Sequence, residues 1–449
     1  MSMDSFEKYE FTWNGKKAAL ARAKEPSRKT FCLCREESRN LDTTGNLYLE
    51  GDNLEVLRLL QESFLGAVRV IYIDPPYNTG NDLIYHDDME DSGWCSMMYA
   101  RLLLARNLLM EDGVIFISID DNEQANLKKI CDEVFGADNY LNQLVWVSNM
   151  TGRQISGHGA AKTWESILVY AKNIAVSPSL TVDVDFAKKK MPDAYKGFRK
   201  DIRSDAYGDY AVGDTLYNHN RKFNEETRPT LVFSIFYNPG TGEIVTGDIG
   251  STIEGFVELL PHANGDGTHK YHAWRWSRKK IARESKDLIV LPTSSGGYEI
   301  YTKIRNYNTT LLKDIITNIP NGDSELRKLF GGRKIFDYPK STDLMRVLIG
   351  SVDDKEAVVL DFFSGSATTA HAVMLLNAKD GGHRRFIMVQ KPEICEEKSE
   401  ACKAGYGNIC EIGKERIRRA GDKIKAEYSK KDTEPDVGFI VLKLTDADK

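Results

Sequence analysis

The chain has 449 residues, 41% of them apolar, enough for a substantial core and for two or three domains of ordinary size. Its net charge of −5 argues against a wholly basic nucleic-acid-binding body, although a basic groove can sit on an acidic one. No apolar run is long enough to span a bilayer, the N-terminus lacks a signal-peptide pattern, and the seven dispersed cysteines form no C-x-x-C pair; the expectation is a cytoplasmic chain with reduced thiols and no metal.

Residues 1–44 are polar and charged and read as an N-terminal lead-in. From 45 to 175, strand and helix patterns alternate: strands over 46–50, 68–73, 114–119, 144–147 and 167–170, helices over 54–61, 97–110 and 122–134, the last capped by Asp121. Such alternation predicts a layered α/β sheet. From 176 to 332, short aromatic and β-branched runs take over; the run 230–237 is broken by Asn238-Pro239-Gly240-Thr241-Gly242, which predicts a hairpin-rich α+β insert. The α/β texture resumes over 333–430, with strands over 357–360 and 385–390 and a charged helix over 408–428, and 431–449 reads as a tail.

The strand over 68–73 ends in Asp74-Pro75-Pro76-Tyr77. Proline has no N–H and a fixed φ, so the chain must leave the sheet in a stiff, extended turn. That turn offers a carboxylate, free carbonyls and an aromatic face. These groups suit a flat ring bearing an amine, with acceptors for the NH₂ and a surface for stacking. A nucleobase with an exocyclic amine fits, and such a base must leave its stack to be reached. Taken alone, the tetrapeptide is equally a plain strand exit, since Pro and Asp are common turn residues.

The second motif begins at the strand 357–360, runs through Asp361-Phe362-Phe363-Ser364-Gly365-Ser366-Ala367-Thr368-Thr369 and enters a helix over 370–377. A small-residue turn between strand and helix lets a ligand approach the backbone, and Asp361 could meet an ammonium or hydroxyl group. One glycine in the turn and no G-x-x-x-x-G-K-[ST] pattern argue against a phosphate loop. If the two strands share one parallel sheet, their turns are neighbours beyond its carboxyl edge.

Together, and in this order, the motifs resemble those of the β group of amino-methyltransferases that act on DNA, in which Asp-Pro-Pro-Tyr precedes the Phe-x-Gly motif that binds S-adenosylmethionine. The segments 45–57, 77–82, 97–102, 113–121 and 336–340 resemble the methylation (Mod) subunits of type III restriction-modification systems. The resemblance implies a Rossmann-like methyltransferase sheet with a circularly permuted motif order. A catalytic half (45–175) and a cofactor-binding half (333–430) would be separated by an inserted α+β target-recognition domain (176–332). It implies methyl transfer from S-adenosylmethionine to the N6 amine of adenine at specific DNA sites. Cytosine N4 could use the same residues, and Asp rather than Ser at position 74 tilts the choice to adenine. The alternative from another class is a DNA-binding specificity subunit with weak or lost methylation. Partners implied are double-stranded DNA, a restriction (helicase-nuclease) subunit and a second copy of the chain.

On this resemblance Asp74 and the Pro75 carbonyl accept the two amine hydrogens, Pro76 stiffens the turn, and Tyr77 stacks on the extruded base. Phe363 packs on the cofactor's adenine, Asp52 bonds the adenine amine, and Lys340 meets the methionine carboxylate. Asp361, Ser364, Gly365 and Ser366 line the methionine and ribose end, and Gln390 stands where many methyltransferases place an acid for the ribose hydroxyls.

Two basic stretches lie in the insert. One runs from Lys188, Lys189 and Lys190 towards Lys196, Arg199, Lys200 and Arg203. The other contains Lys270, Trp274, Arg275, Arg278, Lys279 and Lys280. Aromatics interleaved with cations suit phosphate contact and stacking. An isolated run of this kind is more often a solvated charged face. Between the halves of a DNA methyltransferase, the second stretch reads as a DNA contact.

Overall fold

The computed structural model describes residues 10–80, 89–149, 160–196, 201–305, 307–428 and 434–447. The chain forms two compact units, one of Met1–Lys196 with Thr310–Lys449 and one of Gly197–Thr309.

The larger unit is built on a ten-stranded sheet. Its strands in chain order are β1 (Lys29–Arg39), β2 (Leu47–Glu50), β3 (Val68–Ile73), β4 (Leu109–Ile119), β5 (Tyr140–Val147), β6 (Trp164–Ala171), β7 (Ile315–Ile316), β8 (Val358–Asp361), β9 (Arg385–Gln390) and β10 (Phe439–Asp446). Across the sheet they run β1-β10-β2-β9-β8-β3-β4-β6-β5-β7. The strands from β10 to β4 are parallel, β1 is antiparallel to β10, and β6 is antiparallel to both of its neighbours. The longer helices are α1 (Lys16–Lys24), α2 (Asn53–Phe64), α3 (Asp91–Leu108), α4 (Gln124–Cys131), α5 (Thr342–Gly350), α6 (Thr368–Asp380) and α7 (Ile409–Tyr428).

Every residue of β3 is buried, as expected of a central parallel strand covered on both faces. Its side chains alternate between two cores. Val70 and Tyr72 join residues of α5, α6 and α7, whereas Ile71 and Ile73 join residues of α2 and α3. The neighbour of β3 is β8, with Leu360 paired to Ile71. From β3 the chain proceeds outward to β4, and from β8 outward to β9 in the opposite direction. The carboxyl ends of β3 and β8 therefore mark the point where strand order reverses, the usual ligand crevice of an open α/β sheet.

Two segments read as appendages prove to be parts of the sheet. Residues 29–39 of the lead-in form β1, and Phe439–Asp446 of the tail forms β10, which inserts between β1 and β2. β1 is an edge strand rich in Lys, Arg and Glu, so its sequence lacks the apolar alternation that marks a strand. The smaller unit is also narrower than the change of texture at 176 and 332. Val182, Ala187, Met191, Tyr195, Ile316 and Ile319 pack into the core of the larger unit.

The smaller unit contains antiparallel sheets of four and three strands around Leu216, Phe233, Ile235, Trp274, Ile281 and Ile300. Its hairpin between Ser234–Tyr237 and Ile244–Gly247 turns at Asn238, whose Oδ1 accepts the N–H groups of Gly240 and Thr241. Among the described residues, no helix is long and apolar enough to cross a membrane, and no group of three or more His, Cys, Asp or Glu could hold a metal ion.

Candidate active site

Asp74 follows the last residue of β3, and several elements pin the turn it opens. The Pro76 carbonyl accepts a hydrogen bond from the indole N–H of buried Trp94 on α3, at 2.8 Å. Asn78 takes the left-handed region, φ 59°, which Asn tolerates better than most residues. Its Oδ1 accepts from the Met89 N–H at 2.8 Å and its amide donates to Glu123 at 2.7 Å. The Tyr77 hydroxyl donates to Glu165 Oε2 at 3.0 Å and accepts from Lys340 Nζ at 2.8 Å. Lys340 Nζ lies 3.1 Å from both Glu165 Oε2 and Asp74 Oδ1, and 4.8 Å from the centre of the Tyr77 ring.

The approach of Lys340 to Asp74 is an ion pair without hydrogen-bond geometry. Asp74 Oδ1 is buried and has no hydrogen-bond partner among the described residues. Burial pushes the Asp74 carboxyl above its ordinary value; Lys340 pulls it down and Glu165 pushes it up. Burial acts on Glu165 in the same sense, but the Lys340 charge and hydrogen bond outweigh it and hold that carboxyl below the usual range. Burial disfavours the Lys340 ammonium, and the two carboxylates overcome this and hold its pKa above the ordinary value.

The second turn leaves β8 at Asp361, which is 2% exposed. Asp361 Oδ1 accepts from the Phe363 N–H at 3.1 Å and Oδ2 from the Thr369 hydroxyl at 2.6 Å. Burial raises this carboxyl to about 7. Gln390 Oε1 accepts from the Gly365 N–H at 2.7 Å, and Asn53 Nδ2 donates to the Phe362 carbonyl at 2.7 Å. Gly365 and Ala367 take positive φ, 47° and 61°, and Gly365 is the residue type for which that costs least. Beneath the turn lies Arg416 of α7, 0% exposed, donating to the hydroxyls of Ser366, Thr368 and Thr342 at 2.8, 2.6 and 3.1 Å. Burial pushes its guanidinium down to about 10.

A cavity of about 240 Å³ lies between the turns, lined among others by Asp52, Asp74, Lys340, Phe363, Ser364 and Gln390. Asp52 caps α2 through the Leu54 N–H at 3.0 Å, and its other oxygen lies 3.4 Å from Arg101. Ser364 Oγ is buried without a hydrogen-bond partner among the described residues. A half-buried aromatic and several acids around one cavity suit a ligand that carries a flat ring and a cationic end.

The family model of N6/N4 DNA methylases matches residues 68–421, a span that contains both turns. The chain belongs to this family. It is 34% identical to the EcoPI Mod subunit of a type III restriction-modification enzyme from Escherichia phage P1, over 98% of this chain and 72% of that one. It is 33% identical to the StyLTI Mod subunit from Salmonella typhimurium, over 88% of this chain but only 59% of that one. With the type II methyltransferase M.KpnI of Klebsiella pneumoniae the identity is 30%, over 85% and 89%.

The methylase thus carries its two motifs on adjacent strands, but several side chains differ from their expected use. Lys340 lines the cavity, yet its ammonium is directed to the catalytic turn. Both Asp361 oxygens and the Gln390 amide oxygen are engaged in holding the second turn, accepting from the Phe363 N–H, the Thr369 hydroxyl and the Gly365 N–H, because the donors of a tight turn need acceptors.

Trp274 was expected to face DNA and is instead a core residue, 2% exposed, with its indole N–H on the Phe233 carbonyl at 2.7 Å. Around it, Arg275 pairs with Asp214 at 3.2 Å and Arg278 with Asp248 at 2.7 Å. Lys280 lies 3.7 Å from Glu284 and over Trp276, and Lys270 lies over Tyr271. Lys279 is exposed and makes no ion pair among the described residues. In the first basic stretch, Lys190 pairs with Asp343 and Arg203 with Asp201, while Arg199 and Lys200 lie outside the described residues.

Glu165 and Arg416 were not anticipated. Glu165 precedes an apolar run, where its sequence signals only a strand start. Arg416 had a faint signal, because it falls on the apolar stripe of a helix with Ile409, Ile412 and Ala420.

Proposed function

We propose that this methylase transfers a methyl group from S-adenosylmethionine to the N6 amine of adenine at specific sites in double-stranded DNA, within a restriction-modification system. The observation that carries the reading is Asp74, whose partly exposed carboxylate lines one cavity with the Phe363 turn of the adjacent strand.

When bound, S-adenosylmethionine supplies an electrophilic methyl on a sulfonium centre. Phe363 packs on its adenine, Asp52 and Ser364 accept or donate at its polar edges, and Asp361, Gly365, Ser366 and Gln390 shape the turn around it. The Asp74 carboxylate and the Pro75 carbonyl take the two hydrogens of the target amine. They thereby aim its lone pair, and most of the rate advantage comes from this positioning. Positive charge then grows on the amine nitrogen beside the Asp74 carboxylate, which stabilises it. Tyr77 offers its face to the extruded base. Lys270, Arg275, Arg278, Lys279 and Lys280 contact the phosphates, with Lys279 the least engaged by acids. A restriction (helicase-nuclease) subunit and a second copy of the chain are the protein partners proposed, the former because two relatives are Mod subunits, and the cytoplasm is the proposed place of action.

Digestion of DNA treated with the protein, followed by mass spectrometry, should yield N6-methyladenine. N4-methylcytosine would change the base, and unmodified DNA would favour a specificity subunit. Phe363→Ala should weaken S-adenosylmethionine binding by about 1–3 kcal/mol through lost stacking and burial. Unchanged affinity by calorimetry would place the cofactor elsewhere.

A further inference from the structure

Glu165 is the second carboxylate at the catalytic turn, and no contact with cofactor or base requires it. It enters on β6 opposite Trp146 of β5. Its Oε2 takes hydrogen bonds from the Tyr77 hydroxyl at 3.0 Å and from Lys340 Nζ at 3.1 Å. The ammonium also donates to Tyr77 at 2.8 Å. Asp74 Oδ1, equally close to Nζ at 3.1 Å, receives its charge but no aligned hydrogen. Lys340 is therefore hydrogen-bonded to Glu165 and Tyr77 and ion-paired with both carboxylates.

We propose that Glu165 is a positioning residue that holds the Lys340 ammonium in hydrogen bonds with itself and Tyr77, so that Lys340 does not draw the Asp74 carboxylate away from the N–H of the target amine. The proposal rests on the methyl-transfer reading. In that step the amine nitrogen bonds to the methyl carbon, the carbon–sulfur bond breaks with its electron pair kept by sulfur, and the nitrogen releases a proton towards Asp74 and then water. Without the Glu165 charge, Asp74 is the one carboxylate left at hand for Lys340 among the described residues. The ammonium then swings into line with Oδ1 and weakens the Asp74 carboxylate as an acceptor and base.

The surrounding charges do not substitute for Glu165. Asp74 is faced by Lys340, Glu165 and Tyr77, by Tyr72 of β3 and by Asp361 of β8. Glu165 is further faced by Lys162, which is committed to Asp120 and Asp121 at 3.2 and 3.1 Å. On the α3 side, Arg101 is held by Asn53 and Asp52. Lys340 is the cation that reaches both carboxylates among the described residues.

The test is the pH dependence of single-turnover methyl transfer to double-stranded DNA, at saturating S-adenosylmethionine, for the full chain. Glu165→Gln should lower the plateau and move the acid limb down by about one pH unit, because Lys340 then acts on Asp74 alone. Lys340→Met should move the same limb up by a similar amount, because Asp74 then faces Glu165 without the cation that offsets it. A purely structural role for Glu165 would lower the plateau and leave the limb in place, and that result overturns the proposal. If Glu165→Gln does not fold, a limb that stays in place or falls in Lys340→Met overturns it equally. Wild-type protein that methylates no DNA at any pH defeats the functional reading itself, which is distinct from failure in the variants.

Discussion

Asp74→Ala will slow methyl transfer by about 10²–10³ while leaving S-adenosylmethionine affinity within a few-fold of wild type, because it removes an aligned acceptor at the atom where charge develops. The loss is specific to chemistry for a structural reason. The cofactor turn is held by Asp361, Gln390, Asn53 and Arg416, and none of these hydrogen bonds involves Asp74. The substitution also leaves the Lys340 ammonium near the amine with Glu165 as its remaining carboxylate among the described residues, and this adds repulsion against the charge that grows on the amine nitrogen. Asp74→Asn should fall between the two, since an amide oxygen accepts a hydrogen bond but carries no charge. Tritiated methyl transfer at close to the wild-type rate by Asp74→Ala would remove Asp74 from the chemistry. A parallel loss of cofactor binding would mean that the two turns are coupled more tightly than their separate hydrogen bonds imply.

Whether a feature could be read from residues alone depends on how local its causes are. β3 and its turn were legible because a continuous apolar run ended by two prolines admits few conformations. The adjacency of β3 and β8 was implied by both motifs standing at strand ends in a parallel sheet, and the register of Leu360 against Ile71 agrees. The lead-in strand β1 was hidden because an exposed edge strand is protected by charges, and charges erase the alternation that would announce it. β10 was hidden by its position, since its pairing with β2 joins segments at opposite ends of the chain.

The Glu165–Lys340–Tyr77 cluster was illegible for a deeper reason. Each member is an ordinary residue in its own segment, and only the crossing of β6, the catalytic turn and the segment before α5 gives them a common location. Asp74 was legible from its own turn and Lys340 only by resemblance. That one shares its charge with the other depends on an angle that no spacing encodes.

Trp274→Ala should destabilise the unit of Gly197–Thr309 by about 3–5 kcal/mol, the usual range for removing a buried aromatic from a core. Trp274 packs with Leu216, Phe233, Ile281 and Leu288, and its indole N–H satisfies the Phe233 carbonyl, which the substitution leaves without that donor. A residue whose role is to stack on DNA would behave differently. It would lose affinity on truncation with little change in folding, as the exposed Lys279 should in Lys279→Ala, where affinity falls and its salt dependence becomes shallower because one phosphate contact is gone. The two variants therefore separate packing from contact within one sequence stretch. Chemical denaturation monitored by tryptophan fluorescence, with DNA binding measured at several salt concentrations, provides both readouts. If Trp274→Ala unfolds at the wild-type denaturant concentration yet binds DNA weakly, the indole is a contact residue and its place in the core is wrong. If it unfolds early and Lys279→Ala alone flattens the salt dependence, the DNA-facing groups of this stretch are its cations, and the tryptophan is the floor on which they stand.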